Sequence, residues 1–299
     1  MRIFNFGGID LIKNIYKELE KFGISKQNYL DLKEIRNKDG IYLFRVIYGN
    51  SSYILKYFQN IEYTREIKNY FILKELNIPT IEVVGHTGKS LLLEDLEKSK
   101  TYRLGIESDL SDIEVAEDLA EWYKKLHNEG AKYVSNKDNI FYRQADVITK
   151  ENIELIKNRT KTEDNHVWQL IIDNLDLIFT KIGEVEQTLT YNDFYWTNLA
   201  VSHDKKEAIM FDYNFLGIGF RYNDIRNVCL SLSKEARKAF VEKYGKINET
   251  EKIIDNGIST LITLIFAYKR PEFPKWGQES LKSVYSGELE KAIIKILEL

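Results

Sequence analysis

Up to about residue 96 the sequence consists of short β-rich runs, and from about residue 110 it repeats apolar residues at helical spacing with a single interruption. That change of pattern allows few folds. "IYLFRVIYG" and "SSYILKYF" flank the turn residues of "GNSS" and predict a hairpin. "EYTREIKNYFILKEL" places Tyr63, Ile67, Tyr70, Phe71 and Leu76 at helical spacing, and "TIEVVGH" and "SLLLEDL" predict two more strands. Farther on, "SDIEVAEDLAEWYKKLHNEG" opens with Ser111 and Glu114 in a capping-box pattern and predicts a helix closing on Gly130. The interruption is "LTYNDFYWTNLAVSHDKKEAIMFDYN", residues 189–214, which reads as a lone hairpin turning at "SHDKK" within helical sequence. The expected organisation is α+β and bilobal: a small β-rich lobe over 1–96 and a larger, mostly helical lobe over 97–299.

A 43% hydrophobic content with three prolines in 299 residues is that of a globular chain able to bury a sizeable core. The net charge of -3 and a pI near 6.0 argue against nucleic acid or an anionic membrane surface as partner. Cys229, the single cysteine, excludes an intramolecular disulfide and reads as a small buried apolar residue. No signal-like N-terminal run is apparent, and "GISTLITLIFAY" is too short to span a bilayer, so the expected location is the cytoplasm. By sign, 14 basic and 12 acidic residues fall in 1–96, leaving 29 and 34 beyond. A mildly acidic second part suits a cationic substrate, although a solvated helical face explains most of those charges.

The hairpin carries three side chains that are costly to bury: Asp193, Asn198 and Asp212. On two antiparallel strands Asn198 and Asp212 can approach one end, offering a neutral and an anionic oxygen to magnesium, which completes its shell with water and phosphates. Asp193, in the preceding loop, is free to accept a proton from an attacking hydroxyl. The spacing Asp-x-x-x-x-Asn is that of the kinase catalytic loop, although alone it reads as well as a pair of loop caps. Order along the chain favours the chemistry. Lys56 lies mid-strand in "SSYILKYF" and Glu66 lies in the early part of the next helix, which are the lysine and glutamate that phosphoryl transfer requires. Glu75 sits near the helix C-terminus, where the dipole disfavours an anion. "LLLEDL" ends a strand at Glu94 and Leu96, whose main-chain groups can face an adenine edge.

Taken with "LNIPTIEVV", "LAEWYKKLHNEG", "YNDFYWTNLAV", "IMFDYN" and "GIGFRYNDIRNV", these residues resemble the aminoglycoside phosphotransferase and choline kinase family, over roughly residues 30–230. The resemblance implies the protein-kinase-like fold and transfer of the γ-phosphoryl group of ATP or GTP to a hydroxyl of a small molecule. It makes Asp193 the catalytic base, Asn198 and Asp212 the Mg2+ ligands, Lys56 the phosphate contact, Glu66 its ion-pair partner, Glu94 and Leu96 contacts to the base, and Asp224 a structural aspartate. Three departures stand out. Tyr191 replaces the family's histidine, and Phe220 and Arg221 occupy the place of its Gly-Asp-Pro turn. The phosphate loop "EIRNKDGIYLF" holds only Gly40, which leaves the turn amides of Asn37 and Asp39 to cradle phosphate.

Tyr195, Trp196, Glu272 and Trp276, with Tyr285, are candidates for lining an acceptor pocket, and aromatic groups beside an acid suit an aminoglycoside-like or choline-like cation. His127 is expected in a structural hydrogen bond. The competing reading is a catalytically silent, kinase-like nucleotide-binding module. A protein kinase is disfavoured by the poor glycine loop and the lack of an A-P-E segment after Asp212.

Overall fold

The computed structural model describes residues 6–25, 30–135 and 141–299. In chain order the elements are α1 (Phe6–Lys21), β1 (Leu30–Lys38), β2 (Ile41–Tyr48), β3 (Ser51–Phe58), α2 (Arg65–Glu75), β4 (Val83–His86), β5 (Ser90–Glu94), β6 (Tyr102–Leu104) and α3 (Ile113–Ser135). They continue with α4 (Lys150–Thr160), α5 (His166–Asp173), α6 (Leu175–Gly183), β7 (Thr188–Thr190), β8 (Leu199–Ser202), β9 (Ala208–Met210) and β10 (Gly217–Gly219). The last are α7 (Arg221–Ser231), α8 (Lys234–Tyr244), α9 (Glu249–Tyr268), α10 (Gln278–Tyr285) and α11 (Glu288–Leu297). Two compact units result: Met1–Trp122 with Asp193–Phe215 and Leu232–Lys243, and Tyr123–Asn192 with Leu216–Ser231 and Tyr244–Leu299.

The first unit is built on an antiparallel sheet in the order β1-β2-β3-β5-β4. Successive strand residues face opposite sides. Phe44, Val46, Leu55, Tyr57 and Leu92 therefore line one face, where they pack with Ile15 and Leu19 of α1. β3 lies in the middle of the sheet and is apolar on both faces, which is why "SSYILKYF" shows no clean alternation. Lys56 is the exception on its second face. Of the expected stripe α2 buries Ile67 and Tyr70, with Ile72 and Leu73 buried besides, while Tyr63 and Leu76 are half-buried and Phe71 is turned outward onto the edge of His86.

The predicted lone hairpin is part of a three-stranded sheet, β6-β8-β9. "TYRL" is too short a strand signal to read alone. It is held by pairing of Tyr102, Arg103 and Leu104 with Ser202, Val201 and Ala200. Gly105 ends it where a Cβ would sit 2.6 Å from the Trp196 carbonyl oxygen.

In the second unit, α9 presents Ile254, Ile258, Leu261, Ile262, Leu264 and Ile265 to a core shared with α4, α5, α6 and α11, so it is apolar over most of its circumference. β7 and β10 form a short ladder. α3 differs from expectation at both ends. Its first N–H groups, those of Glu114 and Val115, are capped by Asp112 rather than Ser111. The helix also continues through Gly130 to Ser135. Gly130 is required for another reason: a Cβ there would lie 2.7 Å from Thr188 Oγ1 and 2.8 Å from Leu189 Cβ, so its absence lets β7 lie against the helix. Cys229 is only half-buried. Among the described residues no helix is long and apolar enough to cross a membrane.

Candidate active site

The site residues of the first unit gather around Lys56, which is 4% exposed. Its Nζ lies 2.6 Å from Glu66 Oε2 and 2.8 Å from Asp212 Oδ1. Glu66 is in the first turn of α2 and fully buried, and it is the glutamate of that helix that meets the lysine. Asn214 ties the two carboxylates together, donating to Glu66 Oε2 at 2.6 Å and to Asp212 Oδ1 at 3.3 Å.

α2 also fixes the backbone that carries Asp212. Asn69 Nδ2 donates to the Tyr213 carbonyl at 2.7 Å, and Arg65 Nε donates to the Asn214 carbonyl at 2.8 Å. The Tyr213 hydroxyl donates to the Met210 carbonyl, and the ring stacks at 13° on Trp122. Within this clamp Asp212 adopts φ +65°, a left-handed conformation that Asp and Asn tolerate better than other non-glycine residues.

The β8–β9 hairpin brings Asn198 alongside: Phe211 N–H donates to the Asn198 carbonyl at 3.0 Å. Asn198 Nδ2 then reaches back to the carbonyl and Oδ2 of Asp193, 3.2 Å each. The five-residue spacing thus converts a loop carboxylate and a strand-entry amide into neighbours. The hydrogen bonds occupy the Asn198 amide nitrogen and leave Asn198 Oδ1 and Asp212 Oδ2 without hydrogen-bond partners among the described residues.

The electrostatics follow from one lysine among three carboxylates. Burial alone would lower Lys56, but Asp212 and Glu66 outweigh it and raise its pKa. Burial opposes ionisation of Asp212 as well, yet contact with Lys56 holds it below its ordinary value. Glu66, more deeply buried, is pushed up despite the same lysine. Asp193 is raised to about 7, first by burial and then by the negative charge of Asp212, with the Asn198 hydrogen bond acting in the opposite sense. A carboxylate so poised can accept a proton near neutral pH.

As for the base contacts, Glu94 N–H is committed to the Glu82 carbonyl at 3.1 Å, which leaves its own carbonyl to offer. Leu96 N–H has no hydrogen bond among the described residues. Asp95 between them is anchored by Arg45 Nε at 2.8 Å and Ser52 Oγ at 2.6 Å, fixing the segment on the sheet. Sequence reasoning missed Asn69, Asn214 and Arg65, because their roles depend on which segment α2 packs against.

Tyr195 and Trp196 lie in the first unit, 57% and 37% exposed. Glu272, Trp276 and Tyr285 lie in the second, Glu272 exposed and Trp276 with the Arg270 guanidinium 5.8 Å from its ring centroid. Tyr285 donates to the Thr160 carbonyl at 2.8 Å.

The second unit contains its own buried cluster. Asp224 accepts Tyr191 N–H on Oδ2 at 2.7 Å and Asn192 N–H on Oδ1 at 2.8 Å. His127 Nε2 is 3.1 Å from Asp224 Oδ2, and its Nδ1 is 2.8 Å from the Tyr244 hydroxyl. Since Asp224 accepts, Nε2 carries the proton and Tyr244 donates to Nδ1. Where a Gly-Asp-Pro turn was expected, Phe220 is buried and accepts Asn223 N–H at 3.1 Å. The N–H of Tyr222 donates to Glu251 at 2.7 Å, capping α7.

No family model and no curated protein matches the sequence. Solved structures do. Choline kinase LicA from Streptococcus pneumoniae matches at a TM-score of 0.62 and 14% identity, over 97% of this chain and 100% of that one. Macrolide 2'-phosphotransferase MphH from Brachybacterium faecium matches at 0.59 and 12% identity, over 91% and 97%. The ternary complex of APH(2'')-IIa with streptomycin and ATP matches at 0.58 and 16% identity, over 95% and 97%. Likeness at such identities concerns the fold, and the chain accordingly has the α+β, protein-kinase-like fold of these structures.

Proposed function

We propose that this chain belongs to the aminoglycoside phosphotransferase and choline kinase family and transfers the γ-phosphoryl group of ATP or GTP to a hydroxyl of a small molecule. The observation that carries the reading is the convergence of Lys56, Glu66, Asp212, Asn198 and Asp193 through direct hydrogen bonds and ion pairs. Its support from comparison is that structures of the same fold bear the names of choline kinase and of a macrolide phosphotransferase, and that one was solved with ATP.

In this reading residues 1–96 hold the nucleotide and 97–299 the acceptor. Lys56, kept cationic by its two carboxylates, contacts the phosphates, with Glu66 and Asn214 fixing its direction. The Glu94 carbonyl and Leu96 N–H take the base. Asp193 accepts the proton of the acceptor hydroxyl as it attacks. The donor set fits Mg2+: Asn198 Oδ1 and Asp212 Oδ2 are hard oxygens with no hydrogen-bond partner among the described residues. Magnesium completes its shell with water and phosphate oxygens, so two protein oxygens suffice to hold it beside a nucleotide. Bound there, Mg2+ would neutralise charge on the transferring phosphate. Tyr195, Trp196, Glu272 and Trp276 are the candidates for acceptor recognition, and an aminoglycoside-like or choline-like compound is the first class to try.

The test is transfer of labelled phosphate from ATP and GTP to a panel of amino sugars, amino alcohols, nucleosides and sugars, with Asp193→Ala as background. Nucleotide binding with no transfer or hydrolysis above that background would favour the silent binding module instead.

A further inference from the structure

The turn that should cradle phosphate does not have the shape for it. β1 runs to Lys38 and β2 starts at Ile41, so Asp39 and Gly40 form a two-residue turn with φ +55° and +79°, the type I′ geometry of tight hairpins. Asn37 is not in the turn at all; it is paired with Tyr42 inside the ladder. Gly40 is pinned rather than free, its carbonyl accepting Gln59 N–H at 2.8 Å and a Cβ there meeting Asn60 at 3.2 Å. A turn this short presents no row of amides to a polyphosphate.

The same hairpin offers cations. The register sets Arg36 opposite Leu43 and Leu43 opposite Lys56; Lys38 is opposite Ile41, and Ile41 opposite Phe58. Directly opposed residues share a sheet face. Arg36 and Lys38 therefore stand on the face that carries Lys56, while Tyr42 and Tyr57 belong to the α1 face. With strands about 4.8 Å apart, Arg36 is two strands, or about 10 Å, from Lys56. Both residues are exposed and neither forms an ion pair among the described residues.

The charge balance of the cluster leaves a place for such cations. Lys56 faces Glu66, Asp212 and, nearby, Asp193, so the cluster alone carries more negative than positive charge and opposes a polyphosphate. We infer that Arg36 and Lys38 are the phosphate-binding groups of the β1–β2 hairpin, gripping the polyphosphate of a nucleoside triphosphate with side-chain charge in place of a backbone-amide cradle. The inference rests on the proposed phosphotransferase reading and adds to it the residues that hold the polyphosphate. Side-chain cations reaching over water are screened by salt more than buried amides are, so affinity should depend on ionic strength.

Calorimetry with Mg-ATP on wild type, R36A, K38A and the double variant tests this, with adenosine measured by saturation-transfer NMR as a probe without phosphate. The double variant should bind Mg-ATP about tenfold or more weakly, lose most of the salt dependence, and bind adenosine within about twofold of wild type. R36K should restore part of the R36A loss, because charge is returned without the planar fork. Mg-ATP affinity unchanged in the double variant, or adenosine falling in parallel, would overturn the inference. Wild type binding neither Mg-ATP nor Mg-GTP would bring down this inference and the proposed function together. Wild type that binds Mg-ATP through these residues but phosphorylates no acceptor would sink the transfer reaction and leave the inference standing.

Discussion

The Lys56 cluster of the first unit and the His127 cluster of the second are both buried and both centred on an aspartate, but they differ in what is left unoccupied. Asp224 accepts three hydrogen bonds, from two backbone N–H groups and His127, and the histidine's other nitrogen is taken by Tyr244. Asp212 carries Lys56 and Asn214 on one oxygen and nothing on the other among the described residues, and Asn198 Oδ1 is likewise unmatched. An acceptor without a protein partner on a side chain that is 26% exposed, as Asp212 is, stays open to a ligand, whereas a completed network rigidifies. A closed cluster of this kind is therefore read as structure, and an open one as a place that something from outside completes.

The sharpest way to break the comparison is to remove one aspartate from each cluster. In the open cluster, Asp193→Asn should lower turnover by about 10³-fold or more, leave Mg-ATP affinity nearly intact and cost no stability at neutral pH. Asp212→Ala should weaken Mg-ATP binding itself. Calorimetry and turnover on both variants check this, and equal loss of affinity in the two would contradict the roles assigned. Asp212→Asn is the gentler version: Asn tolerates the left-handed φ and keeps an oxygen for Lys56, so the fold should hold within about 1 kcal/mol while activity is lost.

In the closed cluster the expectation is reversed. Asp224→Ala leaves two buried N–H groups and a histidine N–H without an acceptor, and should cost about 3 kcal/mol or more of stability by urea unfolding. A loss under about 1 kcal/mol would mean that water or a rearranged side chain completes the network, and would remove the distinction between the clusters.

How much of this could be read from sequence divides along similar lines. Lys56, Glu66, Asp193, Asn198 and Asp212 were legible because each sits at a fixed offset within one strand, helix or hairpin. Arg36 and Lys38 were not, since their facing depends on register carried across two hairpins and past an irregularity between Glu34 and Arg36. β1 itself was hard to see: "LDLKEIRNK" is an exposed, charged edge strand held by pairing rather than by burial, so it lacks the apolar alternation of an interior strand. Gly130 had a signal that pointed the wrong way, because a glycine after a helical run reads as a C-cap when the reason for it lies on another strand. Gly130→Ala should cost about 1–3 kcal/mol in thermal or urea unfolding, since Thr188, which donates to the His127 carbonyl at 2.6 Å, has no room to retreat. A neutral result would mean that β7 gives way to the added methyl, and would remove the packing reason for the glycine.

The response to pH sharpens the comparison most, because the two clusters should respond with opposite sign. Burial lowers His127 below its ordinary 6.5, so the folded protein binds fewer protons than the unfolded chain just below that pH. Its contribution to stability is complete above 6.5 and is lost as pH falls through it, at no more than about 1.4 kcal/mol per pH unit. Asp193 is raised from 3.8 to about 7, so its folded form holds a proton that the unfolded form has released. That contribution is present below about 3.8 and is lost as pH rises toward 7. In metal-free buffer between pH 4 and 7, Asp193→Asn should therefore remove a loss of stability that grows with rising pH, while His127→Gln should remove one that grows with falling pH below 6.5. Urea midpoints across that range would separate them. If both variants flattened the profile in the same direction, the open cluster would be titrating as though its carboxylates were already satisfied, and the case for an external ligand there would be lost.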